Sequence, residues 1–242
     1  MEYKKAYVIG NKEICENIFK LSIKGDFKGK PGQFYMLRSW EKEPLLSRSI
    51  SIYSIDDNNL EFLYAVVGEG TKLLSELKKE DSIDLLGPLG NGFPIEDIKG
   101  KVAVVSGGIG IAPFYEVVKN LKKCEIDLYA GFRKRSYSME NFKKYVKNIY
   151  VATETGEKGQ KGYITEILQV NKYDMVLCCG PEMMMKKVIK ICKEEEIPIY
   201  VSMEKHMACG VGACLGCICK TKSGNKRTCK EGPVFLGDEL EE

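Results

Sequence analysis

The sequence predicts a multi-domain chain: an antiparallel β-barrel over residues 1–97, an α/β domain with a parallel sheet over 98–203, and a small cysteine-rich unit over 204–242. Three observations carry that division. Short β-branched and alternating runs punctuated by turn residues fill the first part, as in an antiparallel barrel or sandwich. From Lys101 apolar strands alternate with helical stretches, the pattern of a parallel sheet. Between Cys209 and Cys229 lie five of the ten cysteines.

In the first unit the strand candidates are Ala6–Ile9, Ile18–Ile23, Phe34–Leu37, Ser49–Tyr53 and Leu60–Val67, followed by a short helix over Gly70–Leu77 and a strand over Ser82–Leu86. The run Gly87-Pro88-Leu89-Gly90-Asn91-Gly92-Phe93-Pro94 is expected to stop any regular element, which places the boundary near Asp97. Two stretches have chemical content. Arg48 lies among the hydroxyls of Ser47, Ser49 and Ser51, and a guanidinium fork suits phosphate oxygens; a strand with a surface Arg reads the same way. Gly70-Thr71 opens a helix whose free N–H groups suit a phosphate, or form a simple cap.

In the second unit, Lys101–Ser106 is a buried-strand run followed at once by Gly107-Gly108-Ile109-Gly110-Ile111-Ala112-Pro113 and a helix reaching Leu121. Strand, glycine turn and helix in that order let backbone N–H groups and the helix dipole meet a pyrophosphate, and Pro113 suits an early helical position. The usual G-x-G-x-x-G and its downstream acid are missing. The next strand, Ile126–Gly131, leads instead into Phe132-Arg133-Lys134-Arg135-Ser136, whose basic groups suit an adenine ribose or its phosphate, so NAD and NADP both stay open. Ile149–Thr153, Met175–Cys179 and Ile199–Ser202 continue a sheet of about five strands, with helices over Ile164–Val170 and Glu182–Glu196. Met183, Met184, Met185 and Ile189 read as core, and Cys124, Cys178 and Cys192 as small buried hydrophobes. Cys179 reads likewise unless a cofactor ring reaches it.

A chain of 242 residues can build proper cores without disulfides, so its cysteines need another explanation. The N-terminus has no apolar leader and no stretch approaches ~18 apolar residues, so a soluble, cytoplasmic protein is expected. There, clustered thiols point to metal or redox chemistry. The net charge of +3, from 37 basic and 34 acidic residues scattered along the chain, gives no sign of nucleic-acid binding. Cys209, Cys214, Cys217 and Cys229 follow the C-x4-C-x2-C plus distant Cys spacing of plant-type 2Fe-2S loops. Gly210, Gly212 and Gly216 are expected to supply the positive φ angles that wrap such a loop. Cys219 is a rival ligand kept as a buried spare, and His206 reads as a surface residue. Zinc is the alternative, although structural zinc sites usually offer two close pairs and Cys229 stands apart.

Taken together, Arg48-Ser49-Ile50-Ser51, Gly70-Thr71, Gly87-Pro88-Leu89-Gly90, Gly107–Pro113 and Cys179-Gly180-Pro181-Glu182-Met183-Met184 resemble the ferredoxin–NADP reductase superfamily. With Met207–Cys214 and Gly232-Pro233-Val234-Phe235 added, the chain is similar to the electron-transfer branch that serves dihydroorotate dehydrogenase B. That resemblance implies FAD on Arg48, Ser49, Ile50, Ser51, Tyr64, Ala65, Val66, Gly70 and Thr71. It implies NAD as electron acceptor on Gly107, Gly108, Gly110, Pro113, Cys179, Gly180 and Pro181, and a 2Fe-2S cluster on Cys209, Cys214, Cys217 and Cys229. It also implies an FMN-containing catalytic partner that oxidises dihydroorotate in pyrimidine biosynthesis, in a heterotetramer of two chains of each kind. No acid–base catalyst is named, because the cofactors carry the chemistry. Ser49 departs from the Pro common at that position. Relatives in sulfide dehydrogenase and NADH-dependent ferredoxin reductase complexes are expected to carry Asp at the first ligand position, and Cys209 argues for the dihydroorotate branch. The rival readings are an FAD/2Fe-2S NAD(P)H reductase subunit of a sulfite, sulfide or hydrogenase-type complex, and a zinc-stabilised nonenzymatic adaptor; metal and flavin content separate the last from the others.

Overall fold

The computed structural model describes residues 1–241; Glu242, the last position of the expected C-terminal unit, lies outside them. Six antiparallel strands, β1 (Glu2–Cys15), β2 (Ile18–Lys24), β3 (Phe34–Arg38), β4 (Arg48–Ile55), β5 (Asn59–Ala65) and β6 (Ser82–Leu89), close in the order β1-β2-β5-β4-β3-β6. Alternation places Val8, Leu21, Ile23, Leu37, Leu60, Phe62, Ile83 and Leu85 inside, each almost fully buried. Helix α1 (Glu69–Ser75) contributes Leu74 to the same core. The Asn11 side chain donates to Leu74 O at 2.8 Å and Leu77 O at 3.2 Å, satisfying carbonyls at the end of that helix.

Contrary to expectation, Gly87-Pro88 does not end the sixth strand. Leu86 pairs with Met36 and Leu89 with Phe34, so two residues stand opposite one. That bulge accommodates a residue without an N–H, and Gly87 lies against Tyr35, where a Cβ would come within 2.3 Å of the ring.

The second unit is built from β7 (Gly100–Gly107), α2 (Ala112–Asn120), β8 (Cys124–Phe132), the one-turn α3 (Met139–Phe142), β9 (Asn148–Thr153), β10 (Gln160–Lys161), β11 (Met175–Cys179), α4 (Glu182–Glu194) and β12 (Ile199–Ser202). The C-terminal unit adds a hairpin of β13 (Ile218–Thr221) and β14 (Gly224–Arg227), then β15 (Val234–Leu236). The sheet has seven strands in the order β10-β9-β8-β7-β11-β12-β15, parallel except for β15. Both additions to the expected set are short, and β15 comes from beyond the cysteine loop. The expected helix over 164–170 is two 3-10 turns, Ile164–Glu166 and Val170–Lys172; Ile164, Thr165, Ile167 and Val170 are β-branched, which lowers the helix propensity of the stretch despite Glu166, Leu168 and Gln169. On α4 the face divides the methionines: Met185 is 2% exposed and Met183 78%, so Met183 is not core. Cys178 and Cys192 are buried, and Cys124 is half-buried, with its Sγ donating to Ile98 O at 3.4 Å.

Barrel and sheet share a core. Tyr53, Leu63 and Phe93 belong to the same buried cluster as Phe114, Val117 and Val118 of α2. A continuous apolar interface of this kind sets the two units in fixed relation.

Candidate functional site

β7 has β8 on one side and β11 on the other, so the chain's winding reverses between β7 and β11. Open parallel sheets take ligands at this switch point, beyond the carboxyl ends of the strands. The two glycine motifs meet there. A Cβ on Gly110 would lie 2.5 Å from Cys179 O and 2.7 Å from Gly180 Cα, and one on Gly107 2.6 Å from Pro181 Cδ. Only residues without side chains allow this approach. Gly108, at φ +54°, has open space where a Cβ would stand, and the 3-10 turn Gly108–Ile111 runs straight into α2 with Pro113 in its first turn. Burial pushes the Cys179 thiol well above its ordinary pKa, with Glu204 and Cys178 adding to the effect. Cys179 is 2% exposed and belongs to the apolar cluster shared by barrel and sheet. Arg133, Lys134 and Arg135 are exposed just past the carboxyl end of β8.

Arg48, Ser49, Ile50 and Ser51 are all half-buried on β4. The Arg48 guanidinium rests on Gly70, where a Cβ would come within 2.4 Å of Nε and 2.8 Å of Nη2. Its Nη1 donates to Leu46 O and, at 3.5 Å, to Ser47 O. The Thr71 hydroxyl is occupied as a cap: it accepts from Val67 N at 3.0 Å and Gly68 N at 3.1 Å and donates to Gly68 O at 2.9 Å. Tyr64 is 1% exposed, its ring inside the barrel and its hydroxyl donating to Asn11 Oδ1 at 3.3 Å; Ala65 and Val66 are half-buried beyond it.

The four cysteines come together as two pairs. Cys214 N donates to Cys209 Sγ and Cys229 N to Cys217 Sγ, each at 3.4 Å, and the two thiols within each pair are in hydrogen-bond contact. Gly216 N donates to Cys214 Sγ at 3.5 Å. Burial raises the Cys209 thiol pKa, yet donation from the Cys214 and Val211 N–H groups, the Cys214 side chain and the Ala213 N–H outweighs it and brings it to about 6. Burial, together with the Cys217 thiol, pushes Cys229 up to about 12. Among the described residues no three His, Cys, Asp or Glu side chains converge on one ion position. Two thiolates on each of two irons, with N–H groups directed at sulfur, is the donor set of a plant-type 2Fe-2S centre, so these residues fit that group.

The loop's backbone differs from expectation at one point. Gly210 and Gly212 take positive φ, but Gly216 does not; Leu215 does, at φ +60° with its side chain 57% exposed. Cys219 is buried near Thr228, and His206 is exposed.

Sequence reasoning missed the seat of the loop. Cys217 and Cys229 share a buried apolar cluster with Phe34 and Met36 of β3 and Leu89 of β6. It also missed Trp40, whose ring centroid is 5.8 Å from the Arg38 guanidinium carbon and 5.5 Å from that of Arg48. Arg38 ties the Trp40 loop down through the carbonyls of Trp40, Glu41, Lys42 and Leu45. The single Trp of the chain, two residues from an Arg and just ahead of Arg48, was the available signal.

A barrel with an Arg-bearing strand, a parallel sheet with paired glycine motifs at its switch point and a four-thiol loop define a ferredoxin-reductase-type oxidoreductase with an iron–sulfur domain. The family described as the iron–sulfur cluster binding domain of dihydroorotate dehydrogenase B matches residues 204–241, and the oxidoreductase NAD-binding domain matches residues 104–190. The dihydroorotate dehydrogenase B (NAD(+)) electron transfer subunit of Clostridium acetobutylicum is 56% identical over 239 residues, covering 99% of this chain and 97% of that one. Its counterpart in Clostridium perfringens is 51% identical, covering 100% and 99%. The chain belongs to this family of dihydroorotate dehydrogenase B electron-transfer subunits.

Among solved structures, a chain of an NADH-dependent reduced ferredoxin–NADP oxidoreductase studied for flavin-based electron bifurcation superposes with a TM-score of 0.88 at 30% identity, covering 98% of this chain and 89% of that one. A ferredoxin–NADP+ reductase of Neisseria gonorrhoeae, with FAD and NADP bound, has a TM-score of 0.66 at 17% identity, covering 81% and 92%, and shares the fold. Membership as an electron-transfer subunit entails a catalytic partner. Among the described residues no helix is long and apolar enough to cross a membrane.

Proposed function

We propose that this chain carries electrons from the FMN of a dihydroorotate-oxidising partner to NAD+, in a cytoplasmic heterotetramer of two chains of each kind that serves pyrimidine biosynthesis. The units 1–97, 98–203 and 204–242 serve FAD, NAD and 2Fe-2S respectively, and β15 of the third completes the sheet of the second. When bound, the cluster exchanges single electrons, and FAD exchanges them for the hydride that NAD+ accepts.

The observation that carries this reading is the seat of the thiol loop. Cys217 and Cys229 pack against Met36, and Met36 pairs across the β3–β4 ladder with Ser49, beside Arg48. The thiol loop is therefore one strand removed from the proposed flavin strand. On that strand, Arg48 meets the FAD pyrophosphate with its charge while Ser49, Ile50 and Ser51 present backbone and hydroxyls. Gly70 leaves room for the guanidinium, and Thr71, by capping the turn, holds the head of α1 in shape. Tyr64 stiffens β5 from inside the barrel, leaving Ala65 and Val66 to line the edge. At the switch point, Gly107, Gly108 and Gly110 admit the NAD pyrophosphate to the head of α2, which Pro113 pre-shapes. Cys179, Gly180 and Pro181 form the opposite wall and exclude water.

Metal and flavin analysis of the purified chain tests the cofactor part. Two irons and two sulfides with one FAD per chain are expected; zinc without iron or flavin contradicts it.

A further inference from the structure

The strand and the helix to which the proposal assigns the two nucleotide cofactors are fastened to each other by a buried polar seam. In β4, Ile52 pairs with Phe62 and Ser54 with Glu61, leaving Tyr53 as an extra residue. Ile52 faces the barrel core, and Tyr53 faces out to stack on Tyr115 of α2, centroids 4.7 Å apart and planes 14° from parallel. Its hydroxyl accepts from Asn141 Nδ2 at 2.8 Å.

The next residue of α2, Glu116, is 4% exposed. Its Oε2 accepts the backbone N–H of Ile55 at 3.0 Å and Lys119 Nζ at 2.8 Å, and its Oε1 accepts Asn120 Nδ2 at 2.9 Å. Lys119 Nζ reaches back to β4, donating to Ser54 Oγ at 3.1 Å and Ile55 O at 3.4 Å. At 1.5 Å rise per residue, Glu116 stands about 6 Å along the helix from Ala112 and the glycine loop. Ile55 stands about 13 Å along its strand from Ser51.

The apolar cluster around Tyr53, Leu63, Phe114 and Val117 already holds the units together. Apolar packing of similar side chains tolerates small slides, whereas a carboxylate shared by three donors has one satisfied position. A buried ion pair adds little net stability relative to an apolar pair of the same volume, so its contribution here is register.

We propose that Glu116 is a positioning residue: with Lys119 it fixes the rotation and height of α2 against β4, and so holds the nicotinamide end of NAD over the flavin. In the reaction it serves, hydride leaves NADH for FAD and one proton is taken up, giving NAD+ and reduced FAD, or the reverse. Glu116 touches neither cofactor. The inference rests on the proposed seating of FAD along Arg48–Ser51 and of NAD at Gly107–Pro113.

The test uses the full chain loaded with FAD and cluster. Wild type, the double variant Glu116→Leu/Lys119→Met and the single variant Glu116→Gln are compared by stopped-flow reduction of FAD across a range of NADH, with 4-deuterated NADH alongside. Melting temperature, flavin content and cluster absorption are recorded for each. The double variant is expected to keep its melting temperature and both cofactors while its limiting rate of FAD reduction falls about 10- to 100-fold, the effect of a displacement near 1 Å. The deuterium isotope effect rises as chemistry becomes more limiting, and half-saturation by NADH changes little. Glu116→Gln keeps an oxygen for the Ile55 N–H and recovers most of the rate. An unchanged limiting rate in the double variant overturns the proposal, as does a fall in rate that merely tracks loss of flavin or melting temperature. If the wild-type chain holds FAD that NADH does not reduce, the cofactor seating itself is wrong, and the inference falls with it.

Discussion

Gly210 lies directly on Met36: a Cβ at position 210 would come within 2.7 Å of Met36 Cγ and 3.0 Å of its Sδ, with Leu89 Cδ1 at 3.1 Å. The thiol loop is thus seated on the barrel through a residue with no side chain. Its backbone at φ +70° adds a second demand for glycine. Gly210→Ala incurs about 1–2 kcal/mol for the left-handed conformation and must also displace Met36. We expect iron and sulfide content to fall sharply while FAD is retained. Gly212 shares the positive φ, but its nearest neighbour is the flexible Lys230 side chain at 3.1 Å, so Gly212→Ala is expected to lose much less cluster. Equal losses in the two variants would contradict the seating argument.

Cys209→Ser removes one member of the outer thiol pair and should abolish transfer to or from the partner while NADH-dependent reduction of an artificial dye continues through FAD. Cys219→Ser should leave the 2Fe-2S electron paramagnetic resonance signal intact, because that thiol is buried near Thr228 and outside both pairs. Partner-linked transfer persisting in Cys209→Ser, or a lost signal in Cys219→Ser, is the contrary outcome.

These expectations divide cleanly by what a sequence can display. The barrel, the parallel sheet and the four thiols were legible because periodicity, glycine turns and cysteine spacing are local patterns. Gly216 was misread because the left-handed residue of the tight turn is its neighbour Leu215, and no composition rule selects an outlier of that kind. The pairing of Met36 with Ser49 and the contact of Glu116 with Ile55 join residues far apart in the chain. Both depend on register between separate elements, which no local sequence pattern displays. Strand β15 was missed because three residues, Val234–Leu236, carry too little alternation to register as a strand.

Gly70→Ala should weaken FAD binding by way of Arg48, since the added methyl would stand 2.4 Å from Arg48 Nε and push the guanidinium aside. A charge-assisted hydrogen bond contributes about 1.5–3 kcal/mol, so flavin affinity is expected to drop about 10- to 100-fold, as for Arg48→Ala. Fluorescence titration of the apoprotein with FAD measures both. Undiminished affinity in both variants would remove Arg48 from the flavin site.

Alkali should destabilise the sheet domain. Burial, with Asp238 adding to it, pushes the Cys192 thiol from 9.0 up to about 12. The folded state therefore favours the protonated thiol. Its contribution to stability is complete below the unfolded value near pH 9 and is lost as pH rises towards 12. Above about pH 9 the urea midpoint should decline as pH rises, and the decline should be shallower in Cys192→Ala. In line with this, Cys178 and Cys192 should resist alkylation in the native protein at pH 8.

The central claim, that this chain connects a dihydroorotate-oxidising flavoprotein to NAD+, is tested most directly by reconstitution. The FAD- and cluster-loaded chain is mixed with its FMN-loaded catalytic partner, and NADH formation is followed at 340 nm after dihydroorotate is added. Dihydroorotate-dependent reduction of NAD+ that requires both chains, and that Cys209→Ser abolishes, is the expected result. No gain over the separate chains, with every cofactor in place, would contradict the account.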